Sequence, residues 1–144
     1  CDHMKDLVCY ADILTPNMTE ACILTDTPYE DKKWHLSEIE AMAARLSENG
    51  PSKIVITGIT QGQYVANFCY EAGKPPEYSE PTGSVHPAQV PATSADAVNS
   101  VPFDHSVKKA SNFIKKCIQR SIELDIPLTD GVCFEEVLHT LKYN

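Results

Sequence analysis

An amide and a carboxylate stand three residues apart in Thr15-Pro16-Asn17-Met18-Thr19-Glu20, between two apolar stretches. Such a pair can cap a helix: Pro16 disfavours helix at Thr15, Asn17 is a good N-cap, and Glu20 at N3 can reach back to the cap's N–H. A helix start can also present such groups to a ligand, so the pattern alone leaves both readings open. A second set is cationic. Lys108, Lys109, Lys115, Lys116 and Arg120 lie together, and a basic face on an acidic protein could meet phosphate, although a solvated outer face is the ordinary explanation. Two carboxylates nearby, Asp96 and Asp104, read as helix surface and as an N-cap.

Thiols and imidazoles are numerous but badly placed for metal chemistry. The cysteines at 1, 9, 22, 69, 117 and 133 contain no C-x-x-C pair. The histidines at 3, 35, 86, 105 and 139 have neither H-x-x-x-H spacing nor a cysteine knuckle beside them, which argues against structural zinc. The cysteines fall in apolar patterns, and the opening CDHMKDL lacks the basic and apolar regions of a signal peptide, so reduced, mostly buried thiols and a cytoplasmic location are expected. Asn17-Met18-Thr19 matches a glycosylation sequon, which has no consequence without export. Neither G-x-x-x-x-G-K-[ST] nor G-x-G-x-x-G occurs, so P-loop and Rossmann nucleotide sites have no support.

The whole chain bounds the partners. At 144 residues, with 42% hydrophobic and 22% charged residues, one domain with a real core is expected. A formal charge of −8 and a pI near 5.0 exclude nucleic acid and anionic membranes as general partners, while a small anion could still bind locally. No apolar run is long enough to span a bilayer.

The elements that must position these residues follow from periodicity. Ala11 to Leu14 reads as a short buried strand, and Asn17 to about Leu24 as a helix. Leu36, Ile39, Met42, Ala43 and Leu46 recur at helical spacing up to the stop at Asn49-Gly50-Pro51. Lys53 to Thr57, KIVIT, is a β-branched run suited to an interior strand covered on both faces, with Gly58 closing it. Tyr64 to Tyr70 reads as a second strand, joined antiparallel through a turn containing Gly62. From Gly73 to Ser94 no periodicity survives, because five of the ten prolines fall there. Asp104 then opens a long helix with a seam of Val107, Ala110, Ile114, Cys117, Ser121 and Leu124, and Phe134, Val137, Leu138 and Leu141 form a last short helix. Strand, helix and strand in this order mean an α/β domain.

The segments ADILTPNMTEACILT, KIVITGI and KKASNFIKKCIQRSIELDIPLTDGVCFEEVLHTL together resemble the C-terminal half of bacterial pyridoxal and pyridoxamine kinases, which are related to hydroxymethylpyrimidine kinases within the ribokinase-like superfamily. The resemblance covers most of the chain outside the proline-rich stretch. It implies the C-terminal part of a three-layer α/β/α sandwich with a partial central sheet. The activity implied is ATP-dependent phosphorylation of the 5′-hydroxymethyl group of a B6 vitamer. Asn17 and Glu20 match the T-P-N-x-x-E positions that help organise Mg²⁺ and its waters beside the ATP phosphates, and Thr57 and Gly58 match the strand end that lines those phosphates. Such roles suit phosphoryl transfer, which is chiefly positioning plus charge neutralisation. The helix from Asp104 would form part of the adenine side.

One landmark of that family, a Gly-Thr-Gly-Asp segment whose aspartate takes the substrate proton, is absent, so no catalytic residue is assigned. Gln89-Val90-Pro91-Ala92-Thr93-Ser94 stands in its place. The codons for this hexapeptide, read one frame over, can spell Gly-Thr-Gly-Asp-Ile. A shifted frame across roughly Pro81 to Ser94, and proline and alanine accumulating in a tolerant loop, are both open accounts. The expected organisation is therefore one partial kinase domain over residues 1–144, irregular at about 73–94, with an exposed sheet edge that invites association such as a homodimer. Two other functions stay in view: a hydroxymethylpyrimidine kinase, and a non-catalytic acidic α/β binding module in which Asn17 and Glu20 only cap.

Overall fold

The computed structural model describes residues 2–61, 64–75, 77–83, 102–127 and 133–141. The turn at Gly62, the Gln89–Ser94 hexapeptide and Asp96 lie outside them, as does most of the 73–94 segment. The elements are α1 (Asp2–Val8), β1 (Ile13–Leu14), α2 (Met18–Leu24), α3 (Leu36–Glu48), β2 (Lys53–Gln61), β3 (Tyr64–Glu71), β4 (Glu77–Gly83), α4 (Phe103–Glu123) and a closing 3₁₀ helix, Glu135–Thr140.

The four strands form one sheet in chain order, β1 parallel to β2 and the rest antiparallel. Because side chains alternate across a strand, KIVIT feeds two cores. Ile54 and Ile56 point to one face, where they meet Ala21, Cys22 and Leu24 of α2 and Ile39, Met42, Ala43 and Leu46 of α3. Val55 points to the other, against Phe103 and Val107 of α4. β3 repeats the pattern: Ala66 and Phe68 join the first core and Cys69 the second. Asn67, on the α4 side, is buried and donates to the Ser111 hydroxyl at 3.0 Å, so the polar group costs little there. The expected interior strand covered on both faces is present.

α3 owes its start to Glu38, which accepts from the His35 N–H at 2.9 Å. That hydrogen bond, with Lys32 beside it, holds the Glu38 carboxyl below its ordinary range. Its stop needs Gly50. There φ is +142°, and a Cβ would come within 2.8 Å of the Cys9 backbone, so only glycine lets the chain pass so close to the end of α1.

Four expectations are corrected. β2 does not close at Gly58 but continues to Gln61, because a bulge lets the strand resume. A strand, β4, occupies Glu77–Gly83 inside the stretch read as structureless. Its proline is accommodated because Glu80 and Pro81 fall at the irregularity between Val65 and Asn67 of β3, on the outer strand of the sheet, where a missing donor is tolerated. Asp104 does not cap α4. Pro102 holds the N-cap position and Asp104 sits in the first turn, since buried Phe103 must be the first helical residue to reach the second core. Leu36 and Leu124, expected on apolar seams, are 50% and 41% exposed, the first opening α3 and the second capping the end of α4.

Among the described residues no helix is long and apolar enough to cross a membrane. Of the described cysteines, Cys22, Cys69 and Cys117 are buried and all five are free thiols. Burial pushes the Cys22 and Cys117 thiols up, which keeps them protonated and unreactive.

Candidate functional site

The site is assembled by strand register. β1 pairs with β2 through Ile13↔Lys53 and Leu14↔Ile54. The same offset carries past the proline to an isolated parallel bridge, Asn17↔Thr57. Pro16 has no N–H to give, but its carbonyl accepts from the Thr57 N–H at 2.8 Å. Register thus brings the start of α2 level with the Thr57–Gly58 step, forty residues on.

At the start of α2 the capping box is complete. Glu20 N–H donates to Asn17 Oδ1, and Asn17 N–H donates to Glu20 Oε2, each at 2.9 Å. Both side chains are half-buried. The reciprocal bonds fix each rotamer and use one oxygen of the carboxylate. Among the described residues no group meets Glu20 Oε1 or Asn17 Nδ2.

Across the bridge, two residues of β2, Thr57 and Gly58 between Ile56 and Ile59, oppose one of β3, Asn67 between Phe68 and Ala66. The extra residue is taken up at Thr57–Gly58, where Gly58 has φ +72°, as a glycine bulge requires. One result is a change of parity: Ile59, odd-numbered, returns to the core that holds Ile54 and Ile56. Another is chemical. Thr57 is 5% exposed with its hydroxyl 3.5 Å from the Pro16 carbonyl, whereas a Cβ on Gly58 would meet nothing within 4 Å. The glycine backbone therefore borders open space beside the capping box. Sequence reasoning missed this bulge, although the spacing Ile54, Ile56, Ile59 around a glycine carries its signal.

Substituting Gly58→Ala is expected to cost roughly 1–2 kcal/mol from the left-handed backbone alone, read as a lower urea midpoint. The added methyl would point into the open space.

The four site residues expected from the sequence thus lie together at the C-terminal end of KIVIT. A family model described as phosphomethylpyrimidine kinase matches residues 1–127. The chain belongs to the phosphomethylpyrimidine kinase family.

Solved structures agree on the fold. A Bacteroides thetaiotaomicron protein described as a candidate phosphomethylpyrimidine kinase, crystallised with pyridoxal, matches with a TM-score of 0.86 at 24% identity over 97% of this chain and 52% of its own. Pyridoxal kinase from Lactobacillus plantarum matches with a TM-score of 0.79 at 17% identity, over 96% of this chain and 52% of that one. Pyridoxal kinase from Staphylococcus aureus, in complex with AMP-PCP and pyridoxal, matches with a TM-score of 0.67 at 19% identity, over 81% and 45%. The chain spans about half the length of these structures. Among curated proteins no relative matches. The ribokinase-like α/β/α arrangement expected from the sequence is the one found, with α2 and α3 on one face of the sheet and α4 on the other.

Proposed function

We propose that this chain carries the nucleotide-phosphate side of an ATP-dependent kinase acting on the 5′-hydroxymethyl group of pyridoxal, pyridoxamine or pyridoxine, residues 1–144 forming a single partial domain of that enzyme. The observation that carries the reading is the Asn17↔Thr57 bridge, which aligns a half-buried carboxylate with a glycine bulge bordering open space. The pyridoxal and AMP-PCP bound by the Staphylococcus aureus kinase support the same substrate pair.

The residues present suit a magnesium nucleotide. Mg²⁺ keeps much of its water and needs few protein ligands; one carboxylate with a free oxygen beside an open backbone is a compatible set. When bound, the ion neutralises charge on the phosphates. Glu20 would hold its water shell through Oε1, while its other oxygen stays on the Asn17 N–H and prevents the side chain from turning away. Asn17, with Oδ1 already accepting, would donate from Nδ2 to a water or a phosphate oxygen. Gly58 would let a phosphate approach the backbone, and buried Thr57 would fix the strand against Pro16. With no Gly-Thr-Gly-Asp segment in its sequence, the chain by itself is expected to bind nucleotide without transferring phosphate.

The family description, phosphomethylpyrimidine kinase, favours a second substrate class, a methylpyrimidine such as hydroxymethylpyrimidine or its phosphate, which would use the same phosphate site. Thermal melting tests what both share. Saturating Mg-ATP, at about a hundred times its dissociation constant, should add about 2.7 kcal/mol of stability and raise Tm by several degrees, with a much smaller rise when EDTA removes Mg²⁺. An unchanged Tm in Mg-ATP would overturn the proposal.

A further inference from the structure

The face of α4 turned away from the sheet has a charge pattern the nucleotide site does not use. Lys108, Lys109, Lys115, Lys116 and Arg120 occupy the body of the helix, with no acid between Asp104 and Glu123. This segregation stands out in a chain of net charge −8. Arg120 is answered by Glu123 at 3.0 Å and Glu136 at 2.6 Å. Lys108 and Lys116, both exposed, meet no acid among the described residues.

A groove of about 550 Å³ runs along this face, lined by His105, Lys108, Lys109, Phe113 and Lys116 and bounded across from the helix by Leu141. Its size falls in the range of roughly 300–1,000 Å³ usual for small-molecule sites. Lys108 and Lys116 are eight residues apart, about 12 Å along a helix, so one orthophosphate could satisfy one end only. A ligand with charges along a chain could satisfy both, with Phe113 and Leu141 offering an apolar wall to any flat group it carries. The acidic remainder of the protein disfavours a long duplex or an anionic membrane, whose charges extend beyond the groove, more than a small ion that fits inside it.

We propose that this groove binds a small extended polyanion of the oligophosphate class, either an inorganic phosphate chain or a nucleoside polyphosphate. None of Asn17, Glu20, Thr57 and Gly58 lines it, and α4 keeps Phe103 and Val107 in the core on its other face. Glu20 and Mg²⁺ have no part in it.

Calorimetric titration of the full chain tests this, with sodium tripolyphosphate and, separately, ATP as probes, both in EDTA. Saturable single-site binding is expected, weakened at least about tenfold by Lys108→Glu/Lys116→Glu, retained in Glu20→Gln, and weaker at high salt. Tighter binding of ATP than of tripolyphosphate would assign a nucleoside to the Phe113 wall; equal binding would assign the phosphate chain alone. Should the charge-reversed variant fail to fold, Lys108→Gln/Lys116→Gln gives the same comparison with smaller loss. Absence of saturable binding by either probe, affinity for both probes left unchanged by both double variants, or binding only of duplex DNA or anionic vesicles overturns the proposal. A Mg²⁺-dependent signal lost in Glu20→Gln belongs to the other site, so the two assignments fail independently.

Discussion

Phe68→Ala is expected to lower the stability of the chain by about 3–5 kcal/mol, the range for deleting a buried phenyl group. Phe68 is 1% exposed, pairs with Ile56 across the sheet, and belongs to the larger core between the sheet, α2 and α3. It lies two residues from Ala66, which faces the resumed strand at Ile59. The cavity would thus open beneath the bulge that shapes the candidate site. A domain of this size typically has about 5–15 kcal/mol in hand. With a urea slope near 2 kcal/mol/M the midpoint should fall by about 2 M, and a chain at the low end of that range would not fold at all. Far-UV circular dichroism in urea measures this, with Ile23→Ala, at a site 39% exposed, as a control expected to change far less. A fall well under 1 M would show that the core between the sheet, α2 and α3 does not depend on this side chain.

Glu20→Gln should separate capping from ligand binding. Glutamine at N3 can still accept from the cap's N–H, so the unliganded protein should melt within about 0.5 kcal/mol of the wild type. What disappears is the charge. A hydrogen bond to a charged group contributes about 1.5–3 kcal/mol, so the affinity for Mg-ATP should fall roughly ten- to hundredfold, while weak Mg-free binding changes little. Glu20→Ala, by contrast, removes both functions and should also cost up to about 1 kcal/mol of basal stability. If Gln and wild type bind Mg-ATP alike, Glu20 is a cap only, and an acidic binding module describes the chain better.

Local chemistry was legible in the sequence. The Asn17–Glu20 box, the α3 seam through Ile39, Met42, Ala43 and Leu46, and the two-faced KIVIT strand all rest on spacing within a few residues, and each is found as expected. What failed was set by distant partners. Gly58 looked like a strand end because nothing near it reveals that β3 continues opposite; only pairing with Ala66 turns it into a bulge. β4 was hidden by Pro81, whose cost depends on a bulge and an outer position that no local window contains. Asp104 is a better N-cap by type than Pro102, yet the burial of Phe103 fixes the frame of α4. The Asn17↔Thr57 bridge, which gathers the candidate site, joins residues forty apart and could be expected only through family resemblance.

The central claim is that the start of α2 and the β2 bulge together receive a magnesium nucleotide. Titrating ¹⁵N-labelled chain with Mg-AMP-PCP while following backbone amide resonances tests it most directly. The account predicts that the largest shifts fall on Asn17, Glu20, Thr57 and Gly58, and shrink when EDTA removes Mg²⁺. Shifts confined to other parts of the chain, with those four amides unmoved at saturation, would contradict it.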